Sequence, residues 1–255
     1  MLGIVAGSDR FTGAATLAVG GAIRGGAGMV RLVSSEIPVG LVRQRWPEAV
    51  LTTAHAGKQS GAAIEQAGRV QAWTAGPGMG TGDASLSLLS AVLATDLPVL
   101  VDADGITLLA AHRDLLQRSA PTLLTPHAGE LSRLLGADRA DIEARRLHFV
   151  TQAAAELGCT VLLKGSTTVI ASPDPGQEVL VNPTGTSWLA TAGSGDVLSG
   201  LAGSLLAQGL DPARAAAAAA YLHGIAARLA AEGAPIGSED IITALPAAIR
   251  TVETP

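Results

Sequence analysis

With 255 residues, 48% of them apolar, the chain is long enough to bury one large core and short for two. A formal net charge of −5, with lysines and arginines scattered along the chain, argues against a polyanion binder, which gathers basic residues on one face. The one cysteine cannot close an internal disulfide and suits a reducing compartment.

Short runs rich in Val, Ile and Leu recur along the chain and read as buried strands: Leu2–Ala6, Met29–Val33, Val70–Ala75, Pro98–Ala103, Thr122–Thr125, Thr160–Lys164 and Thr168–Ala171. Between them, Gly13–Gly25, Ala84–Thr95, Ile106–Ser119 and Arg139–Leu157 have helical spacing. This alternation predicts an α/β fold with a mostly parallel, helix-covered sheet. After Asn182 a glycine-rich loop leads into three further helices, Gly195–Gln208, Pro212–Ala231 and Glu239–Thr251, with Asp211-Pro212 as a good helix start. No linker or repeat is visible, so one domain over residues 1–255 is expected. Cys159 lies in an apolar run and reads as a core thiol. The start lacks a basic segment before its short apolar run, and Ala213–Leu229 is interrupted by Arg214, His223 and Arg228. A cytoplasmic protein without a membrane span is expected.

Open parallel sheets bind ligands outside the carboxyl ends of their strands, so the strand-to-helix loops carry the candidates. Gly193-Ser194-Gly195-Asp196 opens a helix, where amides and the helix dipole favour an anion. Asp196 can take a proton from an attacking hydroxyl there, or merely complement the dipole. Neither a Walker loop nor G-x-G-x-x-G is present, since position 81 is Thr. Lys164-Gly165-Ser166-Thr167-Thr168 is left as a phosphate-binding segment or a plain hairpin turn. His127 and Glu130 fall on one side of a helix start, where they can serve a site, with magnesium held by Glu130 through water, or act as caps. Asp102 and Asp104 point the same way if their strand persists, or cap a turn. His223 reads as a packing residue, and His55, His112 and His148 have no partner pattern.

These strings, together with Gly7-Ser8, Thr12-Gly13-Ala14-Ala15, Arg24-Gly25-Gly26-Ala27-Gly28, Gly76-Pro77-Gly78-Met79-Gly80 and Leu189-Ala190-Thr191-Ala192, resemble in order the ADP-dependent NAD(P)H-hydrate dehydratase family of the ribokinase-like fold. The resemblance implies a three-layer sandwich and repair of hydrated NADH or NADPH with ADP or ATP and Mg2+. It implies that Lys164, Gly165, Ser166, Thr167, Thr168 and Gly195 meet the nucleotide, and that Ala14, Gly80, His127 and Asp196 meet the hydrated dinucleotide. Asp196 would be the base and the amides of Gly193, Ser194 and Gly195 an anion hole. A homotetramer and an epimerase, upstream or separate, are further implications. Met1 falls almost inside the first strand, where the family has a polar lead-in, so an excised domain or a different start is expected. Two rivals stand: a kinase of the same fold acting on a hydroxymethyl or sugar hydroxyl, and a non-catalytic adenine-nucleotide binder.

Overall fold

The computed structural model describes residues 1–54 and 60–252; His55 lies outside them. The N-terminal half runs β1 (Leu2–Val5), α1 (Thr12–Arg24), β2 (Val30–Ser34), α2 (Glu36–Arg45), β3 (Val50–Thr53), α3 (Ser60–Ala67), β4 (Ala72–Ala75), α4 (Asp83–Leu93), β5 (Val99–Val101) and α5 (Ala103–Ala111). It continues through β6 (Thr122–Leu124), α6 (Ala128–Leu135), α7 (Arg139–Ala144), α8 (Arg146–Leu157), β7 (Thr160–Leu163), β8 (Thr168–Ala171) and β9 (Leu180–Asn182). Three helices close the fold: α9 (Ser194–Ala207), α10 (Pro212–Ala231) and α11 (Ser238–Arg250).

One sheet orders the strands β3-β2-β1-β4-β5-β6-β7-β8-β9, parallel as far as β7 and antiparallel over the last two. Alternation along each strand sorts side chains between two cores. Leu2, Ile4, Leu100 and Leu162 pack beneath α1, α9, α10 and α11. Val5, Val99, Val101 and Leu163 pack on the opposite face with α4, α5, α6 and α8. Cys159 is buried in that second core, and burial raises its thiol to about 11, as befits an inert small hydrophobe. Among the described residues, no helix is long and apolar enough to cross a membrane.

Two predicted helices differ in extent. Ile106–Ser119 is α5 followed by a 3-10 turn at Arg113–Leu116, and Arg139–Leu157 breaks at Arg145, where the backbone leaves the helical region (φ −130°, ψ 48°). Helices α2, α3 and α6 and the edge strands β3 and β9 have no counterpart among the predicted runs. The sheet-edge strands are only partly buried, so their composition carries little hydrophobic signal.

Helices α1 and α9 touch backbone to backbone. A Cβ at Gly200 would stand 1.9 Å from the Ala18 carbonyl oxygen, and one at Gly21 would stand 2.3 Å from that of Val197. Small residues in α9 therefore serve packing inside this chain. Gly200→Ala should lower the unfolding free energy by about 3 kcal/mol or more, because neither helix can yield without moving the sheet. Gly40, mid-way along α2 with nothing within 4 Å of a Cβ, is the contrast: Gly40→Ala should gain about 0.5–1 kcal/mol. Denaturant unfolding of both variants checks the pair.

Candidate active site

Strand β1 is hydrogen-bonded to both β2 and β4, so successive strands are added first on one side of it and then on the other. A crevice opens outside the carboxyl ends at such a reversal. The loop from β4 enters it through Gly76 at φ +131°, where a Cβ would lie 1.8 Å from the Asp102 carbonyl oxygen. Only glycine permits that contact. Next to it Ala103, a non-glycine residue, is held at φ +49°, a strained conformation of the kind that collects at functional sites.

That turn sends the Asp102 side chain inward. Asp102 is buried and makes no cap hydrogen bond; its Oδ1 accepts from Lys164 Nζ at 2.6 Å and its Oδ2 from Ser199 Oγ at 2.6 Å. Asp104 accepts from the Gly80 N–H at 2.9 Å. The strand stops at Val101, so the condition for the two aspartates to share a strand face is not met, although the charges of both reach Asp196. Lys164 arrives because pairing continues past β6 and β7: its N–H donates to the Pro126 carbonyl, setting it beside His127. Arg146, at the start of α8, grips the turn that follows, donating from Nη2 to the carbonyls of Leu163 at 3.0 Å and Lys164 at 2.9 Å. Burial opposes the Lys164 charge, but Asp102 and Glu130 outweigh it and keep the ammonium protonated.

His127 and Glu130 form a reciprocal cap on α6. Nδ1 of His127 accepts from the Gly129 and Glu130 N–H groups, while Glu130 Oε2 accepts from the His127 N–H at 2.8 Å. Burial lowers the His127 pKa, consistent with a neutral ring whose Nδ1 is a bare acceptor. Glu130 is itself buried and stands 3.7 Å from Lys164 Nζ. The capping reading of this pair therefore holds, and the same cap stands beside Lys164.

Helix α9 begins at Gly193, held at φ +85°, and a Cβ there would stand 2.3 Å from Leu17. The Ser194 N–H turns back toward the Thr191 carbonyl at 3.4 Å. Of the three amides expected to form an anion hole, that of Ser194 is thus turned toward the protein's own backbone, and the first-turn amides of Gly195 and Asp196 are among those a helix start leaves free. A Cβ at Gly195 would sit 3.7 Å from Lys164 Nζ, so this bare position keeps the ammonium open to a ligand. Asp196 follows in the first turn. Burial, with the negative charge of Asp102 next, raises its carboxyl to about 7. A carboxyl so poised exchanges its proton near neutrality, as a general base requires.

A cavity of about 380 Å³ joins these parts, lined by Lys164, Gly165, Ser166, Thr168, Ser194 and Gly195. It also takes in Thr186, Ser187, Leu189, Ala190, Leu198 and His223, none of which was expected to meet a ligand. Thr167 is the exception among the expected nucleotide residues: it is absent from the lining, and its carbonyl accepts from Arg146. The hairpin reading of residues 164–168 holds, since the turn joins β7 to β8, and the same turn forms one wall of the cavity. Of the other expected set, Ala14 lies beside Gly78, and Gly80 donates to Asp104, whose charge reaches Asp196. A second cavity of about 370 Å³ lies between Gly7, Ser8, Ser34, Met79 and Ser85, and Ala14, Gly80, His127 and Asp196 are not in its lining.

Magnesium finds no protein cage. Among the described residues no group of three His, Cys, Asp or Glu side chains is placed to hold a metal ion. Asp102 is bonded through both oxygens and Glu130 is committed to its cap and to Lys164. The acidic excess around Asp196 nevertheless suits a cation carried in on phosphate oxygens, with Glu130 reached through water.

A switch-point crevice, a glycine-opened helix beside a half-buried lysine, and a carboxyl in that helix's first turn define a ribokinase-like α/β protein. In structure the chain matches the Bacillus subtilis ADP/ATP-dependent NAD(P)H-hydrate dehydratase, co-crystallised with ATP and Mg2+ and soaked with CoA, with a TM-score of 0.86 and 32% identity over 99% of this chain and 92% of that one. The family model described as NAD(P)H-hydrate dehydratase matches residues 2–247, and the chain belongs to that family. Curated relatives include the bifunctional NAD(P)H-hydrate repair enzyme of Mycobacterium leprae, 47% identical over 99% of this chain and 50% of that protein. The ADP-dependent (S)-NAD(P)H-hydrate dehydratase of Neisseria meningitidis is 40% identical over 93% and 79%. The chain spans about half the length of the bifunctional relatives, 42% for that of Mycobacterium tuberculosis.

The Asp196 carboxyl gives a stability prediction. Its pKa is about 7 in the fold against an ordinary 3.8, so between those values the folded state holds the extra proton and stability falls as pH rises. Asp196→Asn should therefore be more stable than wild type at about pH 8 and equal to it at about pH 4. Melting curves at the two pH values test this; an equal gap at both would show that burial does not hold the proton on Asp196.

Proposed function

We propose that the protein restores NADH and NADPH from their (6S)-hydrated forms, using ADP or ATP to turn the ring hydroxyl into a leaving group. The observation that carries this is the Asp196 carboxyl, poised near neutrality one residue from the open Gly195 amide and facing the Lys164 ammonium. The nucleotide lies in the cavity walled by residues 164–168 and the start of α9. The hydrated dinucleotide enters from the crevice side, past Ala14, Gly80 and His127.

Asp196 takes the proton of the ring hydroxyl as its oxygen bonds to the terminal phosphorus and the bond from phosphorus to the departing nucleotide oxygen breaks. The Gly195 and Asp196 amides and Lys164 hold the charge that spreads over the phosphoryl oxygens. The ring nitrogen's lone pair then expels phosphate from the adjacent carbon. Loss of a proton from the next carbon leaves the dihydropyridine double bond. Hydroxide is a poor leaving group and phosphate a good one, which is why a kinase scaffold can serve a dehydration. Magnesium, bound to the nucleotide, supplies charge neutralisation on the phosphates. The same reading places the work in the cytoplasm in a homotetramer. It also calls for an epimerase, upstream in the same polypeptide or separate, to supply the epimer this pocket accepts.

Purified protein given hydrated NADH, magnesium and ADP or ATP should restore dihydronicotinamide absorbance, with none restored when nucleotide is omitted. Asp196→Asn should lower kcat by about 10³-fold or more while nucleotide affinity is unchanged or tighter, since one negative charge is gone. The wild-type rate should rise with pH through an apparent pKa near the 7 of the Asp196 carboxyl. A stable phosphorylated product in place of absorbance recovery would make the protein a small-molecule kinase instead.

A further inference from the structure

Arg146 is the first residue of α8, a place where the helix dipole disfavours a cation and an acid is the usual occupant. Its side chain is only 16% exposed, and its Nε is buried with no hydrogen-bond partner. One carboxylate answers it, that of Glu143, 2.6 Å from Nη1. Helix stability does not account for a cation placed this way. The other terminal nitrogen does: Nη2 faces the carbonyls of Leu163 at 3.0 Å, Lys164 at 2.9 Å and Thr167 at 3.3 Å. One end of a guanidinium thus gathers three acceptors from the β7–β8 turn.

A trans peptide is planar with its C=O and N–H opposed, so drawing a carbonyl one way turns the following N–H the other. With the Lys164 carbonyl held on Arg146, the Gly165 N–H points away from the guanidinium. Gly165 lines the cavity and Arg146 does not. The Lys164 N–H is spent on the Pro126 carbonyl, whereas no acceptor among the described residues takes the Gly165 N–H. The amide is therefore a free donor at the cavity wall.

Glycine leaves that orientation in need of a lock. Flipping the Lys164–Gly165 peptide changes ψ of the first residue and φ of the second, and glycine accepts the positive φ that a side chain would resist. The flipped peptide would present the Lys164 carbonyl, an acceptor, to a ligand whose phosphates only accept. A side chain at 165 is no remedy, because its Cβ would stand 2.5 Å from Nη2. The guanidinium and the bare position require each other.

We infer that Arg146 is a positioning residue for the nucleotide: by holding the Lys164 carbonyl it keeps the Gly165 N–H turned to the cavity as a donor to the ligand. It acts through the turn and touches neither substrate. This deepens the nucleotide reading of the cavity and rests on it, so the ADP affinity of the wild type is measured alongside.

Arg146→Met keeps the length and apolar packing of the side chain and removes the grip, while Arg146→Lys keeps the charge and can reach part of it. In Arg146→Met the calorimetric Kd for ADP and the KM for nucleotide should both rise about 10-fold or more, the worth of one hydrogen bond. The KM for the hydrated dinucleotide should stay within about twofold of wild type. Arg146→Lys should recover part of the loss. ADP affinity within about twofold of wild type in folded Arg146→Met, or an equal rise in KM for both substrates, would overturn the inference and leave an arginine that only braces the turn. If Arg146→Met does not fold, amide hydrogen exchange on the wild type decides: the Gly165 amide should exchange readily without ligand and slow when ADP is bound. Exchange at Gly165 unchanged at ADP saturation would overturn it. Failure of ADP to bind the wild type at all would instead remove the nucleotide reading, and this inference with it.

Discussion

The ion pair between Lys164 and Asp102 is the contact on which the rest of the site depends. It joins the ends of β5 and β7, and through Ser199 it reaches the second turn of α9, so three elements are tied at one buried point. Such a pair is an expensive way to hold a protein together. Taking both charges out of water costs several kcal/mol per ion, and an apolar replacement of similar volume is commonly as stable. Its justification lies in what it prepares. Both Asp102 oxygens are satisfied, the ammonium stays charged, and the space that any side chain at position 195 would fill is left open beside it.

The surrounding carboxylates act through that lysine. Asp102, Asp104 and Glu130 each push the Asp196 proton on, and Lys164 pulls it off; with burial the balance leaves the carboxyl near neutrality. An incoming phosphate would meet this acidic excess with repulsion were it not for the ammonium, the helix amides and a cation of its own. Burial is the largest cause of that rise and these charges adjust it, so a charge change at any of these residues should move the Asp196 carboxyl.

Much of this was legible in the sequence, and the parts that were not share a physical cause. The central strands announce themselves because both their faces are buried, whereas β3 and β9 lie at the sheet edges and α2 and α3 carry mixed composition. Gly193 to Asp196 and Lys164 stand out because glycine and a strand-end cation are unusual where they fall. Asp102 looked like a turn residue because its partners, Lys164 and Ser199, are 62 and 97 residues away. That the Ser194 amide is engaged by the Thr191 carbonyl is likewise something spacing cannot reveal.

The crossing of α1 and α9 has a consequence for descent. Gly21 and Gly200 are demanded by carbonyls of the opposing helix and by no ligand, so they are indifferent to what the protein reacts with. A duplicated copy drifting toward a new substrate could rebuild the loops after β1 and β4 freely, but it could not release those two positions without losing the axis along which α9 is aimed. In a distant chain such a pair of glycines is therefore testimony to shared architecture, and only the residues at the mouth of the crevice speak to shared chemistry.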